Sequence, residues 1–365
     1  MTDRTAQRPN VCFLTGTLNA MAGAERMTAT IANALADRGF AVSVLSLWDP
    51  LSCFPLHPTI THEALFDRRP SFKRAYAATV VGIRRHVKRH RIDVLIQVDT
   101  MLALFALPAT LGLDVRHIAW EHCHFDEDLG RRARRLARRL DARYCEHIVA
   151  LTERDRNRWI EAAQPRGSVA CIPNPLPFAM PTQPAPRTAK IVLAVGRLVH
   201  AKGFDVLLHA WAAVAKQAPG WKLMIVGEGD ERPALEALCS QLALDNSVEL
   251  PGIYLDVTEA YEQASLFCLS SRYEGFGLVL IEAMAYGLPI VSTDCETGPR
   301  ELLSDGQTAV VVPVEDAAAL AAGLLHMINS PDAATRLGAT GRSKANAYSL
   351  ERITRQWEML LQRSP

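Results

Sequence analysis

Two glutamates separated by seven residues bracket a glycine turn in the second half of the chain. The turn runs from Glu274 to Gly277, and a short helix is predicted from Leu278 to Tyr286, ended by Gly287 and Pro289. A glycine turn that opens a helix leaves N–H groups at the positive end of the helix dipole, which suits a phosphate. Glu282 has apolar neighbours, so we expect it to be partly buried, at a cost unless it binds something.

Hydroxyl groups are good partners for both acids, so this stretch combines phosphate donors with hydroxyl acceptors, as a sugar nucleotide requires. The alternative is a surface turn and a helix whose glutamate pairs with an arginine. Arg197 and Lys202 follow a predicted strand, where they could neutralise a departing diphosphate. Each cation alone fits a solvated loop. Together, and in order with the Gly227–Gly229 turn, they favour a ligand site.

A repeated strand–loop–helix pattern must position these residues. It starts at the strand 11–14 and the helix 24–37, is interrupted at 173–187 by six prolines, and restarts with the strand 190–195. Two α/β domains of ordinary size are therefore predicted, at 1–178 and 179–348. The segment 349–365 is predicted to be a helix that can pack back on the first domain. A ligand is expected in the cleft between the domains.

The ordered set of motifs resembles the GT4-type retaining glycosyltransferases, the glycosyl transferases of group 1. The set comprises Gly196-Arg197, Lys202-Gly203, Gly227-Glu228-Gly229 and the Glu274-x7-Glu282 pair with its Gly-Phe-Gly turn. The loop that begins at Ala22 is similar to the GGAER loop of that family, with Ala22 in place of the first glycine. The resemblance covers nearly the whole chain. It implies the GT-B fold, in which two Rossmann-like doubly wound domains face each other across a cleft.

The resemblance also implies roles for single residues. Arg197 and Lys202 would hold the diphosphate, Glu274 the hydroxyls of the transferred sugar and Glu282 the ribose. Among the histidines, His122 would lie near the reacting sugar, with His124 as a rival and a loop histidine without a role as the alternative. Further donor-binding positions are implied at the following residues: Gly23, Gly196, Gly227, Glu228, Gly275, Phe276, Gly277 and Leu278.

The activity implied is transfer, with retention of configuration, of a hexose or N-acetylhexosamine. The donor would be a nucleotide sugar, UDP-linked by expectation, and the acceptor a glycan or a lipid diphosphate. The segments Ser292–Cys295 and Thr297–Glu301 resemble the subgroup that builds bacterial lipid-linked glycans.

No cofactor and no metal are expected, because Arg197 and Lys202 would supply the positive charge. Asp126-Glu127-Asp128 spells the D-x-D metal motif of another glycosyltransferase fold, but it lies just before a predicted helix and is interpreted as helix-start acids. The run His122-Cys123-His124 has no second ligand cluster with matching spacing. The eight cysteines are scattered singly, which indicates free thiols in a reducing compartment.

Charge is distributed unevenly along the chain. Residues 1–180 contain 25 Lys+Arg and 18 Asp+Glu, a net +7, whereas residues 181–365 contain 15 and 21, a net −6. A helix predicted from Leu129 to Tyr144 is rich in arginine, and contact with an anionic membrane is predicted through Arg131, Arg134, Arg135 and Arg138. The alternative is a core-packed helix with a solvated basic face. Nucleic acid is not expected, since no aromatic residues interleave.

No secretory signal is recognisable, and no apolar run reaches the roughly 20 residues of a membrane helix. The expected location is therefore the cytoplasm, with peripheral association at the inner membrane face. Two other functions are considered. An NAD(P)-dependent oxidoreductase would require G-x-G-x-x-G after the first strand, and the segment from Gly16 to Gly23 lacks that spacing. A non-catalytic binding protein would use the basic helix alone.

Overall fold

The computed structural model describes residues 8–128, 130–254 and 256–362. The chain divides into two compact units. The first contains the residues up to Pro177 together with those from Leu350 onward, and the second is Phe178–Ser349. Among the described helices, none is both long and apolar enough to cross a membrane.

The first unit is built on a parallel sheet that contains, within the described residues, seven strands. The strands are β1 (Asn10–Thr15), β2 (Ala41–Trp48), β3 (Thr61–Phe66), β4 (Val94–Val98), β5 (Arg116–Trp120), β6 (His147–Ala150) and β7 (Ser168–Cys171). Their order is β3-β2-β1-β4-β5-β6-β7. The central strands β1 and β4 are mostly apolar and almost entirely buried, as expected where helices cover both faces of a parallel sheet.

Helices alternate with these strands. They are α1 (Gly23–Asp37), α2 (Phe72–Arg89), α3 (Ala103–Thr110), α4 (Arg132–Tyr144) and α5 (Glu153–Ala163), and the C-terminal helix, Leu350–Leu361, belongs to the same unit. Helix α3 packs against both α2 and α4, and the C-terminal helix packs against α1. Thr152 caps α5, because its side chain accepts a hydrogen bond from the Asp155 amide.

Two features of the first unit differ from the sequence prediction. Strand β3 was not predicted: it is a half-exposed edge strand whose segment includes a histidine and a glutamate, so it lacks an apolar run. Helix α4 begins at Arg132, later than the predicted start, and Leu129 lies outside the described residues.

The second unit is built on another parallel sheet, with six strands in the described part of the chain. They are β8 (Ile191–Val195), β9 (Lys222–Val226), β10 (Val248–Gly252), β11 (Leu266–Leu269), β12 (Ile290–Thr293) and β13 (Val310–Val312). The order is β10-β9-β8-β11-β12-β13. The direction of strand addition therefore reverses between β8 and β11, and open α/β sheets bind ligands at the carboxyl ends of strands at such a point.

The helices of the second unit include two that were not predicted, α10 and α12. The full set is α6 (Phe204–Gln217), α7 (Arg232–Gln241), α8 (Thr258–Gln263), α9 (Leu278–Ala285), α10 (Pro299–Leu302), α11 (Ala317–Asn329) and α12 (Pro331–Ala345). Helix α12 packs closely on α9: a Cβ at Gly338 would lie 2.3 Å from the carbonyl oxygen of Gly287. Its two glycines, Gly338 and Gly341, lower the local helix propensity, which hides the element in the sequence.

Candidate active site

The loops after β8 and β9 lie backbone against backbone. The amide of Gly196 donates to Val226 O at 3.0 Å, and the amide of Leu198 donates to Glu228 O at 2.8 Å. A Cβ at Gly227 would lie 1.9 Å from Gly196 O, and one at Gly229 would lie 2.3 Å from Leu198 O. Gly227 also has φ = 151°, a conformation that residues with a side chain rarely adopt. These glycines therefore allow the loop that carries Arg197 to lie directly on its neighbour.

A single 3-10 turn, His200–Lys202, packs against the segment that follows β11. Gly203 follows it in the left-handed region, and a Cβ there would lie 2.2 Å from Ser270 O. The guanidinium of Arg272 holds Asp205 with two hydrogen bonds of 2.9 and 2.8 Å, and its amide donates to Ala201 O at 2.8 Å. The hydrogen bond with Asp205 is the main cause that raises the pKa of Arg272. Sequence reasoning assigned Arg272 no role, although it positions the turn that contains Lys202.

Lys202 and Glu274 form an ion pair beside this turn. Lys202 Nζ lies 2.6 Å from Glu274 Oε1, and Ser271 Oγ donates to the same oxygen at 2.6 Å. The Glu274 side chain is 8% exposed and that of Lys202 is 19% exposed. The aliphatic part of Lys202 covers Gly196, where a Cβ would lie 3.3 Å from Lys202 Cε. Two residues that are 72 positions apart are thus brought together at the strand-order reversal.

The segment after β12 fixes the backbone of Glu274. Thr297 Oγ1 donates to Glu274 O. Gly298 has φ = +75°, and a Cβ on it would lie 2.5 Å from Phe276 O. Thr293 Oγ1 donates to Ser271 O at 2.6 Å. The residues whose pattern resembled a subgroup therefore contact the turn that precedes α9.

The Gly-Phe-Gly turn leads into α9 as predicted. Gly277 precedes the helix in the left-handed region, with φ = +84°, and Leu278 is the first helical residue. The first N–H groups of a helix have no partner within it, so those of this turn are suited to an anion. The side chain of Phe276 is buried, with its ring centroid 6.0 Å from that of Tyr348. Only the backbone of Phe276 is therefore available to a ligand.

Glu282 lies inside α9 with 2% exposure, which confirms its predicted burial. Tyr261, on α8, donates its hydroxyl to Glu282 Oε2 at 2.8 Å. The Tyr261 ring stacks on Tyr286, with centroids 5.6 Å apart and an interplanar angle of 11°. Sequence reasoning missed Tyr261, since nothing in its local pattern indicates that α8 approaches α9.

Two further residues that were predicted to bind the donor, Arg197 and Glu228, differ in whether they form an ion pair. Arg197 is exposed, and within the described residues no ion pair is formed by its guanidinium. Glu228 pairs with Arg232 through hydrogen-bonding contacts of 2.8 and 2.7 Å. The Arg232 hydrogen bond lowers the pKa of Glu228. Arg197 is thus available to an anion, whereas Glu228 already has a cation.

In the first unit, His122 follows β5 and packs on Trp120, with ring centroids 4.4 Å apart. Its Nε2 is buried and has no hydrogen-bond partner among the described residues. Burial lowers the pKa of His122 to about 4, so the imidazole is neutral near pH 7. The backbone of its rival, His124, accepts a hydrogen bond from Arg138 at 3.0 Å.

Gly23 is the exposed first residue of α1. Ala22 precedes it with φ = −133° and ψ = 168°, extended backbone that any residue adopts. The family's glycine is therefore replaced here without backbone strain.

The predicted membrane contact through Arg134 and Arg138 is wrong. Arg134 is 2% exposed and Arg138 is 4% exposed. Both contact the buried carboxylate of Glu121, at 3.4 and 3.1 Å, and Arg134 also contacts Asp99 at 2.8 Å. Burial raises the pKa of Glu121, and the two guanidiniums oppose that shift. These arginines tie α4 to the ends of β4 and β5.

Arg131, which precedes α4, and Arg135, which lies on it, are both exposed. Arg135 donates to Asp128 at 2.8 Å, and Arg158 donates to both oxygens of Asp126, at 3.1 and 2.9 Å. The outer carboxylates of the D-x-D run are therefore each held by a guanidinium.

Two family models match the chain. The model described as "Glycosyl transferases group 1" matches residues 178–344, and that described as "Glycosyltransferase Family 4" matches residues 21–180. The first range contains the Lys202–Glu274 pair, and the second contains Gly23 and His122.

Similar proteins cover nearly the whole chain. An uncharacterized glycosyltransferase of Haemophilus influenzae is 33% identical over 96% of this chain and 99% of its own length. The GalNAc-α-(1→4)-GalNAc-α-(1→3)-diNAcBac-PP-undecaprenol α-1,4-N-acetyl-D-galactosaminyltransferase of Campylobacter jejuni is 26% identical over 96% of this chain and 98% of its own. The structure of Anabaena HepE in complex with UDP and glucose matches with a TM-score of 0.82 and 18% identity, over 98% of this chain and 100% of that one. That structural likeness establishes the fold, two Rossmann-like sheets of the GT-B type.

Proposed function

The chain belongs to the group 1, GT4-type glycosyltransferases, and from that premise we propose that it transfers a hexose or N-acetylhexosamine from a UDP-sugar to a lipid-linked glycan with retention of configuration. The observation that carries the proposal is the Lys202–Glu274 ion pair beside the start of α9. The NAD(P) alternative is not retained, because the family is a transferase family.

The second unit is proposed to bind the donor. Arg197 and Lys202 receive the diphosphate together with the first amides of α9, at Gly277 and Leu278. The ribose hydroxyls bind Glu282, whose carboxylate already accepts a hydrogen bond from Tyr261. Glu274 binds hydroxyls of the sugar. Its position is supported by Ser271 and Thr297, so little reorganisation is needed when the donor binds.

The chemical step places opposite charges on the two halves of the donor. The bond between the anomeric carbon and the diphosphate oxygen breaks, so positive charge develops on the sugar and negative charge on the phosphate. The acceptor oxygen attacks from the face that the phosphate leaves, and its proton passes to a phosphate oxygen. Arg197, Lys202 and the helix start stabilise the departing charge, so the step is proposed to need no metal. His122, neutral near pH 7, is proposed to act beside the reacting sugar.

The choice of donor and acceptor is supported by similar proteins. The HepE structure contains UDP and glucose, and the name of the Campylobacter transferase includes an undecaprenol diphosphate acceptor. Both are statements about those proteins. Their chemistry is compatible with the anion-binding groups of this chain, so we extend it here as a proposal.

The acceptor is proposed to be reached at the inner membrane face. Residues 68–91 contain nine Lys+Arg and no Asp or Glu, and α2 lies within this segment. At the start of α2, Phe72 is 47% exposed and Tyr76 is 36% exposed, and both rings contact Phe105. Aromatic rings next to exposed cations suit an anionic lipid surface. We propose this surface as the membrane contact in place of the buried Arg134 and Arg138. The contact predicted through the exposed Arg131 and Arg135 stays a prediction.

A donor screen tests the proposal. The purified protein is incubated with UDP-, GDP- and TDP-sugars, with and without an undecaprenol diphosphate-linked glycan in lipid vesicles. We expect transfer from a UDP-sugar, and NMR of the product should show the anomeric configuration of the donor. Activity should persist in the presence of EDTA. Absence of transfer and hydrolysis with every nucleotide sugar would exclude the proposed function, and an inverted product would exclude the mechanism.

A further inference from the structure

Three potential metal ligands meet at the edge of the first sheet, and none of them has been assigned a part in donor binding or transfer. Glu63 lies on the edge strand β3, and His86 and His90 lie one helical turn apart at the end of α2. One ligand atom from each residue lies within 4.8 Å of the other two. Within the described part of the chain, no other group of three His, Cys, Asp or Glu side chains meets that criterion.

The distances fit coordination of a single ion. His86 Nδ1 lies 3.0 Å from Glu63 Oε2, and His90 Nε2 lies 3.4 Å from Glu63 Oε1. Ligands at the ~2.0–2.1 Å distances typical of zinc sites are separated by ~3.3 Å in a tetrahedron. The two imidazole rings lie 4.3 Å apart by their centroids, and one nitrogen of each ring lies within 4.8 Å of the other and of a carboxylate oxygen of Glu63.

The polar atoms of this cluster are incompletely satisfied by the protein. His86 is 2% exposed, and its Nε2 has no hydrogen-bond partner in the described structure. The buried Nε2 of His90 also lacks one, because its contact with Glu63 does not have hydrogen-bond geometry. Buried polar atoms of native proteins normally have partners. A bound cation would engage His90 Nε2 directly.

We infer that Glu63, His86 and His90 form a binding site for a divalent transition metal of the zinc class. Two imidazole nitrogens and one carboxylate, with a fourth position open to water, are a ligand set that proteins use for Zn2+. Calcium and magnesium favour oxygen ligands and are not expected here. The site departs from the sequence expectation of no metal, because Glu63 is 23 positions before His86 on a strand that was not predicted.

The metal would join β3 to α2. The guanidinium of Arg89 lies 3.2 Å from Glu63 Oε1 and is 58% exposed, so it competes for the carboxylate in the metal-free protein and can move into solvent when an ion binds. The expected role of the metal is to stabilise the edge strand β3, which is hydrogen-bonded to the described sheet on one side only, through β2.

Zinc binding to the full chain tests this inference. The protein is stripped with a chelator and titrated with Zn2+ in competition with a chromophoric chelator. We expect one high-affinity ion per chain, a rise in thermal stability with Zn2+ and none with Mg2+. Loss of a supporting residue already weakens metal sites ~10–100-fold, so His90→Gln should weaken binding more than ~100-fold. His90 is chosen because its side chain is 25% exposed, so the variant is expected to fold.

His147→Gln provides the matched control. His147 Nε2 lies 3.4 Å from Glu146 Oε1, the same separation as in the site, but without a second histidine. Its replacement should leave zinc affinity unchanged. The inference is overturned if the wild type binds no tight zinc, or if His90→Gln binds zinc as tightly as the wild type. Both readouts are independent of glycosyl transfer, so failure of the proposed function would not affect them.

Discussion

Lys202 Nζ and Ser271 Oγ both contact Oε1 of Glu274, each at 2.6 Å. The second carboxylate oxygen of Glu274 has no hydrogen-bond partner among the described residues. One oxygen therefore fixes the side chain, and the other is available to a hydroxyl group. The same contact holds the aliphatic part of Lys202 over Gly196, close to the loop of Arg197.

Replacement of Glu274 by Gln removes the charge of the side chain but keeps its shape, so the variant tests the contribution of the charge. The amide can still accept from Ser271, but it neither attracts Lys202 as a carboxylate does nor accepts a sugar hydroxyl as strongly. We expect kcat/KM to fall ~10²–10³-fold, the usual cost of losing one preorganised electrostatic group. The Ser271→Ala control keeps both charges and should lose only ~10-fold or less. Equal activities of the two variants in the donor assay would contradict the assigned role.

A methyl group at Gly227 should damage the fold of the second unit more than one at Gly220. Both glycines have positive φ, but a Cβ at Gly220 has no atom within 4 Å, whereas one at Gly227 meets Gly196 O at 1.9 Å. Overpacking costs ~1–3 kcal/mol beyond the backbone strain. Gly227→Ala should therefore lower the free energy of unfolding by ~3 kcal/mol or more, against ~1 kcal/mol for Gly220→Ala. Chemical denaturation measures both, and similar values would show that the loops separate freely.

The buried arginines of α4 should matter for stability, and the exposed ones should not. Arg138→Ala would leave the Glu121 carboxylate with one guanidinium fewer and the carbonyls of His124 and Glu127 without their donor. Breaking a buried ion pair costs ~3–5 kcal/mol. Arg139→Ala, on the exposed side of the same helix, should change the free energy of unfolding by ~0.5 kcal/mol or less. Urea unfolding of both variants checks this, and equal losses would refute the buried network.

Acid should destabilise the first unit through His117. Burial lowers the pKa of His117 to about 4, while Gln97 and Thr110 contact its two nitrogens at 3.1 and 2.7 Å. The unfolded chain binds the proton first, near pH 6.5. The stabilisation is therefore complete above pH ~6.5 and is lost as the pH falls toward about 4.

His117→Gln removes this proton uptake. The difference in unfolding free energy between wild type and variant should shrink by ~1.4 kcal/mol per pH unit across that window. The other buried groups that titrate, Asp141 and Asp155 among them, contribute equally to the unfolding free energies of both proteins, so their contributions cancel in this difference. Urea unfolding at several pH values between 7.5 and 4.5 measures the difference, and parallel profiles for the two proteins would contradict the low pKa.

Local patterns were sufficient for most of the architecture, with β3, α10 and α12 as the exceptions. Apolar runs marked the buried strands, and glycine and proline marked the ends of α9, because these signals arise from neighbouring residues. The GT-B fold that the motifs implied is confirmed. The burial of Glu282 was also predictable, since its neighbours on α9 are apolar.

Contacts between distant segments were not predictable in the same way. Arg138 and Arg139 are adjacent and chemically identical in the sequence. Only Arg138 forms a buried ion pair, because its partner Glu121 lies on a distant segment. Tyr261 and Arg272 were missed for the same reason, because their partners lie on other elements. The assignments of Arg197, His122 and Gly23 to a bound donor stay predictions until variants are measured.

The C-terminal helix completes the core of the first unit with residues that follow the whole second unit in the sequence. Trp357 packs edge-on against Trp120 with centroids 4.9 Å apart, and Arg116 donates to the carbonyl oxygens of Leu361 and Leu360 at 2.7 and 3.2 Å. During translation, Trp120 therefore emerges from the ribosome long before the side chain that covers it. The second unit is continuous in the sequence and ends at Ser349. It can therefore fold before the helix Leu350–Leu361 of the first unit has been synthesised. Synthesis of the first unit thus starts before that of the second, but the core of the first unit is completed after the second unit has all its residues.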